Sequence, residues 1–205
     1  MLNSCASFLL RFHVIVRFAI IKPRSDLVLI QYFKPKVYIH RIYDLDFRQL
    51  HNQGICLLLC DIDNTLVGFD EKLPTLEAQS WIKKCHKEGI DLILLSNNTE
   101  KRVKIFSESA SVRYMSFSCK PFRFGYQRII KQTKLKPKQI ACVGDQILTD
   151  ILGGNRMGLL TIFCDPLVKE DSVHTRYSRF VERYILKWLT KRNEWKKGEY
   201  YEYKV

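Results

Sequence analysis

The sequence predicts a doubly wound α/β domain, a parallel sheet with helices on both faces. Three observations carry that expectation. From Ile55 onward, short apolar runs alternate with longer amphipathic stretches, the pattern of successive β-α units. Acids, amides and hydroxyls follow several of the apolar runs, where the loops at the carboxyl ends of parallel strands gather function. The chain has 205 residues of which 46% are hydrophobic, enough for one complete core and short of the size at which chains divide into two.

Strands are expected at 55–60, 90–96, 113–117, 139–143 and 159–163. Between them, 75–88, 100–109, 122–134 and 147–157 have helical length and apolar periodicity. Pro74 and Thr75 precede the first of these helices, Gly89 follows it and Gly158 follows the last, as start and stop signals should. The glycines of 153–158 therefore read as a helix terminus and not as a dinucleotide loop, which would follow a strand. A further amphipathic helix is expected at 173–193, with Tyr177, Val181, Tyr184, Ile185 and Trp188 on one stripe and Arg176, Arg179, Arg183 and Lys187 beside it. The organisation expected is an extension over 1–31, a core over 32–166, and a basic helix and loose tail over 167–205. Residues 1–53 give no clear element pattern.

Composition narrows the function. Thirty-four Lys and Arg against 21 Asp and Glu leave a net charge of +13, which favours anionic partners. Arg11 and Arg17 break the most hydrophobic stretch, so no uncharged run reaches the length of a spanning helix. Residues 1–25 hold four basic residues and no acid, a composition shared with transit peptides, yet no small-residue cleavage pattern follows. The expectation there is a surface-lying amphipathic segment or an over-long start, with the role of 1–31 left open. Seven cysteines, mostly in apolar runs (Cys56, Cys60, Cys142, Cys164), form no C-x-x-C pair; they read as buried thiols of a reducing compartment. Cytoplasmic placement, with peripheral contact at the inner membrane face, follows from those two readings.

The strand ends carry the chemistry. After 55–60 comes Asp61-Ile62-Asp63-Asn64-Thr65; after 90–95, Ser96-Asn97-Asn98; after 113–117, Ser118-Cys119-Lys120-Pro121; after 139–143, Gly144-Asp145, with Asp150 five residues on. Several carboxylates facing one crevice repel one another unless a cation neutralises them, and an all-oxygen set suits Mg²⁺. Such a cation would also attract a phosphate, with Lys120 and the Ser96 hydroxyl balancing the remaining charge. Carboxylates at i and i+2 permit one to attack phosphorus and the other to serve as acid and then base.

The four motifs D-x-D-x-T, strand-end Ser, K-P and G-D-x-x-x-x-D, in that order within 61–150, resemble the haloacid dehalogenase (HAD) superfamily. The strings DIDNTL, SNN, KP and GDQILTDILGGNRMG resemble its YqeG-type subfamily IIIA phosphatases, which are related to phosphatidylglycerophosphatases. The resemblance spans about Tyr32 to Trp188. It implies a three-layer Rossmann-like fold with strand order 5-4-1-2-3. It also implies an aspartyl-phosphate at Asp61 and acid/base work by Asp63. Phosphate contacts would come from Ser96, Asn97 and Lys120, and Mg²⁺ would be held by Asp61, Asp145 and the Asp63 main-chain carbonyl, with Asp150 supporting them. Only 35 positions separate Asp61 from Ser96 and 24 separate Ser96 from Lys120, so no cap domain is expected and the crevice should be open. An open site takes its specificity from a surface partner. The stretch 101–138 holds eleven Lys and Arg against Glu108 alone, a net of +10, which fits an anionic phospholipid surface. The favoured substrate is phosphatidylglycerophosphate. The alternatives are a phosphatase for nucleic-acid ends or phosphoproteins, and a non-catalytic basic adaptor for RNA or membrane.

Overall fold

The computed structural model describes residues 31–168 and 173–195. Its centre is one parallel sheet of six strands: β1 (Val37–Ile39), β2 (Leu57–Cys60), β3 (Asp91–Leu95), β4 (Arg113–Met115), β5 (Ile140–Gly144) and β6 (Leu160–Cys164). Their order is β1-β6-β5-β2-β3-β4. Strands β2 to β6 are the five expected runs, in the order 5-4-1-2-3. The run 113–117 is shorter than expected, because Ser116 turns its hydroxyl to Glu100 and Phe117 takes a left-handed backbone with φ 45°. The additional strand, β1, pairs with β6 in the register Val37↔Ile162. Three residues carry too little alternation to announce a strand.

The helices are α1 (Phe47–Asn52), α2 (Leu76–Lys87), α3 (Glu100–Ala110), α4 (Arg123–Thr133), α5 (Leu152–Arg156) and α6 (Val173–Lys191). Strand residues alternate between two apolar layers, as a sheet covered on both faces requires. Leu58, Cys60, Leu92 and Leu94 face a layer that includes Phe47 of α1, Trp81 of α2 and Phe106 of α3. Leu57, Leu59, Ile93 and Leu95 face Tyr126 and Ile129 of α4. One helix and one loop join β2 to β3, and α3 joins β3 to β4, so no cap domain is inserted at either place.

The expected helix 147–157 is a π-helical turn, Ile147–Ile151, running into α5. A Cβ at Gly153 would lie 2.5 Å from the Tyr126 hydroxyl, so only glycine lets this backbone approach α4. Helix α6 covers the β1–β6 side of the sheet. Its Leu189 is fully buried with Tyr38, Ile147 and Phe163, and Val181, Ile185 and Trp188 pack against that cluster. Tyr184, expected on the same stripe, turns outward and meets Phe180 edge to face with centroids 5.0 Å apart. Trp195, expected in a loose tail, is fully buried and meets Tyr38 and Phe163 edge-on. Cys56 is exposed, unlike Cys60, Cys85, Cys142 and Cys164; it precedes β2 at the sheet's amino end and is not enclosed with it. The expectations for residues 1–30, for the side chain of Tyr177 and for residues 196–205 lie outside the described residues. Among the described residues, no helix is long and apolar enough to cross a membrane.

Candidate active site

The central neighbours β2 and β5 bring two motifs together. Their register sets Cys60 beside Val143, so Asp61 and Asp145 leave adjacent strands at the same height. The Asp61 amide donates to the Val143 carbonyl at 3.1 Å. Thr65 ties the two loops: its hydroxyl donates to Asp145 Oδ1 and accepts from the Asp145 amide, both at 3.0 Å, and lies 3.5 Å from Asp61 Oδ2.

Lys120 enters from the loop after β4, 3% exposed, with Nζ 2.6 Å from Asp61 Oδ1 and 2.7 Å from Asp150 Oδ1. Its loop is braced from two sides. Asn97 Oδ1 accepts from the Lys120 amide (2.7 Å) and the Ser118 hydroxyl (3.0 Å), its Nδ2 donates to the Lys120 carbonyl (3.0 Å), and Arg156 Nη1 donates to the Pro121 carbonyl (3.2 Å). Asp150 Oδ2 accepts from the Gln146 amide at 3.3 Å and the Thr149 hydroxyl at 3.1 Å. Asp150 packs so closely on Gly144 that a Cβ there would sit 2.2 Å from its carboxyl carbon. The last residue of β5 must therefore be glycine if Asp150 is to reach Lys120.

Asp61, Asp145 and Asp150 each offer an oxygen within 4.8 Å of the others, and all three are buried. Burial pushes the Asp61 carboxyl well up, as do the neighbouring carboxylates, while Lys120 pulls it down. Asp145 is also raised, mainly by burial and against the pull of Arg179. Burial alone would lower the Lys120 ammonium, yet Asp150 and Asp61 outweigh it and the net direction is upward. Three acids thus face two bases, Lys120 and Arg179, which leaves residual negative charge among oxygen donors. That donor set fits a divalent hard cation such as Mg²⁺.

The structure therefore gathers Asp61, Lys120, Asp145 and Asp150 into one cluster, with Asp63 and Ser96 at its edge. Ser96 is buried and its hydroxyl accepts from the Asn98 amide at 3.0 Å, within the turn after β3. The Asn97 side chain is committed to the Lys120 loop. Asp63, partly exposed, is held by Arg102 Nη2 on Oδ1 at 3.0 Å and Asn98 Nδ2 on Oδ2 at 3.2 Å. Sequence reasoning missed that pair, having read Arg102 as one of many surface cations. It also missed Arg179 of α6, whose guanidinium binds both the carboxylate and the main-chain carbonyl of Asp145 and lies 3.3 Å from Glu182. No spacing rule links positions so far apart. Asn98 alone had a signal, its place in the Ser-Asn-Asn string.

A family model described as HAD-hydrolase-like matches residues 118–172. The chain is 34% identical over 162 residues to "Probable phosphatase YqeG" of Bacillus subtilis (strain 168), covering 79% of this chain and 94% of that one. It is 26% identical over 172 residues to "Phosphatidylglycerophosphate phosphatase 1, chloroplastic/mitochondrial" of Arabidopsis thaliana, covering 78% of this chain and 49% of that one. Among solved structures, the cobalt-bound deoxy-D-mannose-octulosonate 8-phosphate phosphatase of Haemophilus influenzae aligns with a TM-score of 0.46 at 15% identity, over 68% of this chain and 91% of that one. Similarity along nearly the whole of the Bacillus protein, together with four motifs converging on one carboxylate cluster, makes this chain a member of the YqeG family of HAD-like phosphoric monoester hydrolases.

Proposed function

We propose that the chain is a Mg²⁺-dependent phosphatase that forms an aspartyl-phosphate at Asp61 and acts on a phosphomonoester displayed at a surface, with phosphatidylglycerophosphate as the favoured substrate. The observation that carries the mechanism is the unequal use of the two Asp61 oxygens. Oδ1 is held by Lys120 at 2.6 Å, while among the described residues Oδ2 has only the Thr65 hydroxyl at 3.5 Å, so Oδ2 is the one placed to attack.

In the first step, Asp61 Oδ2 bonds to phosphorus and the bond from phosphorus to the ester oxygen breaks, with Asp63 donating a proton to the leaving alcohol. In the second, Asp63 takes a proton from water, the water oxygen bonds to phosphorus, and the bond to Asp61 breaks to release inorganic phosphate. Lys120 keeps the nucleophile aligned and faces the phosphoryl oxygens with the Ser96 hydroxyl and the Asn97 main-chain N–H. Mg²⁺, when bound by Asp61, Asp145 and the Asp63 carbonyl, supplies positive charge to the phosphoryl group and lets it approach the carboxylates. Asp150 holds Lys120 in place.

Three features support the lipid substrate: the uncapped crevice, the excess of basic residues across α3 and α4, and the substrate named for the Arabidopsis relative. The test is phosphate release from phosphatidylglycerophosphate in mixed micelles, with and without Mg²⁺, for wild type and Asp61→Asn. Metal-dependent release that the substitution abolishes is expected. Turnover of an aryl phosphate with none of the lipid would keep the mechanism and discard the substrate. A preference for end-phosphorylated oligonucleotides or phosphopeptides would redirect the assignment, and silence on all of them would leave a basic adaptor for RNA or membrane.

A further inference from the structure

Two of the four motif-bearing loops, those after β2 and β4, also carry exposed apolar side chains. Nine large hydrophobic side chains are exposed among the described residues, and six of them, Leu73, Leu76, Phe117, Phe122, Phe124 and Val168, stand in loops or first helical turns at the carboxyl end of the sheet. That is the end where Asp61, Lys120 and Asp145 converge. Single exposed apolar residues need no explanation, whereas a set gathered on one face around a site does.

The Lys120 loop shows the arrangement most clearly. Ser118, Lys120 and Pro121 turn inward, while Phe117 (58% exposed) and Phe124 (67% exposed) turn outward on either side. Phe117 holds its ring there from a left-handed backbone, φ 45°, a conformation that suits Gly or Asn and costs a bulky residue stability. Burial of the ring does not offset that cost. Arg123, between Phe122 and Phe124, is exposed as well, and Lys101 in the first turn of α3 and Arg128 on α4 add positive charge, with Glu100 beside Lys101.

We propose that this end of the molecule is a docking surface for an anionic lipid bilayer, with Phe117 and Phe124 entering the headgroup boundary and the surrounding Lys and Arg residues meeting anionic headgroups. The proposal deepens the phosphatase reading and rests on it: docking in this orientation turns the open crevice toward the headgroup layer. Aromatic rings among cations would also serve single-stranded nucleic acid, which stacks bases on them. Leu73 and Leu76, the latter 84% exposed, offer no flat face for stacking, whereas mixed aliphatic and aromatic side chains with exposed Lys72, Lys101 and Arg123 among them suit a lipid interface.

The test is co-sedimentation of the full chain with vesicles of phosphatidylcholine and phosphatidylglycerol in equal parts, which contain no phosphomonoester. The comparison is the double variant Phe117→Asn, Phe124→Gln, where Asn accepts the left-handed backbone and Gln preserves helix propensity. Hydrolysis of a soluble aryl phosphate is followed in parallel. Wild type should bind, more weakly in pure phosphatidylcholine or high salt, and the variant should lose about tenfold or more in vesicle affinity while keeping aryl phosphate turnover. Wild type that hydrolyses aryl phosphate but ignores vesicles, or a variant that binds equally well, overturns the docking surface and leaves the phosphatase reading standing. Loss of turnover in wild type itself would count against the phosphatase reading and not against docking. Self-association of wild type that the substitutions abolish, or oligonucleotide binding that they abolish with vesicle binding unchanged, would assign the face to another occupant and overturn the proposal.

Discussion

Asp63 illustrates how much of this site depends on a single supporting side chain. In the proposed mechanism Asp63 is the general acid, which must meet the leaving oxygen at a fixed distance and angle, and near the mouth of the crevice it has little packing to fix it. Arg102 supplies the restraint: it reaches Asp63 at 3.0 Å, donates to the main-chain carbonyls of Lys72 and Glu71, and lies 5.8 Å over the ring of Phe106. The Asp63 carboxylate is thereby tied to the loop before α2 and to α3 together. Arg102→Gln should lower kcat by about tenfold to a hundredfold on an alkyl phosphate, whose leaving group needs a proton. The loss should be much smaller in the burst of p-nitrophenol from p-nitrophenyl phosphate, whose leaving group does not. Equal losses in the first step on both substrates, measured as pre-steady-state alcohol release so that the shared water step does not enter, would show that Arg102 serves folding or binding and does not position the acid.

At the scale of elements, α6 makes a connection that its own sequence does not advertise. Its apolar stripe announced a packed helix, and Val181, Ile185, Leu186 and Trp188 do pack. Nothing in that periodicity marked Glu182 as buried, yet it is 3% exposed, accepts from the Leu148 amide at 3.1 Å and faces Arg179 and, beyond it, Asp145. Burial pushes its carboxyl up to about 8 despite the opposing pull of Arg179. Between the ordinary carboxylate range and that value the unfolded chain has released the proton and the folded one keeps it. Stability from this group is therefore complete at acid pH and declines as pH rises toward 8. Glu182→Gln keeps an acceptor for Leu148 and removes the titration, so its melting temperature should gain on wild type steadily between pH 5 and pH 8. A difference that stays constant with pH, read by thermal melts, would mean that Glu182 is ionised in the fold. The case marks the boundary of what the sequence makes legible. Five strands and the four strand-end motifs could be read because each is a local run or a local string, and the strand order came from the resemblance those motifs carry. β1 could not, since its pairing with β6 joins positions 125 apart and only three residues take part. The pairs Arg102–Asp63 and Arg179–Asp145 could not be read either, because either arginine looks like any other cation on a basic helix until the fold brings its carboxylate to it.

For the whole molecule, the decisive quantity is the charge balance that folding creates at the carboxyl end of the sheet. The chain carries +13 overall, yet folding draws Asp61, Asp145 and Asp150 into one buried cluster with, among the described residues, only Lys120 and Arg179 paired against them. Bringing like charges together out of water opposes folding, and a cation that binds the folded chain and not the unfolded one relieves it. Added Mg²⁺ should therefore stabilise the protein in the absence of any substrate, by about 2.7 kcal/mol at a concentration a hundred times its Kd. In a chain of this size that is a rise in melting temperature of roughly 5–10 °C. Asp145→Asn should melt higher than wild type without metal, since one of the repelling charges is gone, and should lose most of the Mg²⁺-dependent rise. Arg179 faces the same carboxylate, so the substitution also removes its ion pair; the metal-dependent part of the shift, and not the absolute melting temperature, is the diagnostic reading. A Mg²⁺ response of equal size in both proteins would place the cation away from Asp145, and a wild type indifferent to Mg²⁺ would mean that Lys120 and Arg179 already satisfy the cluster.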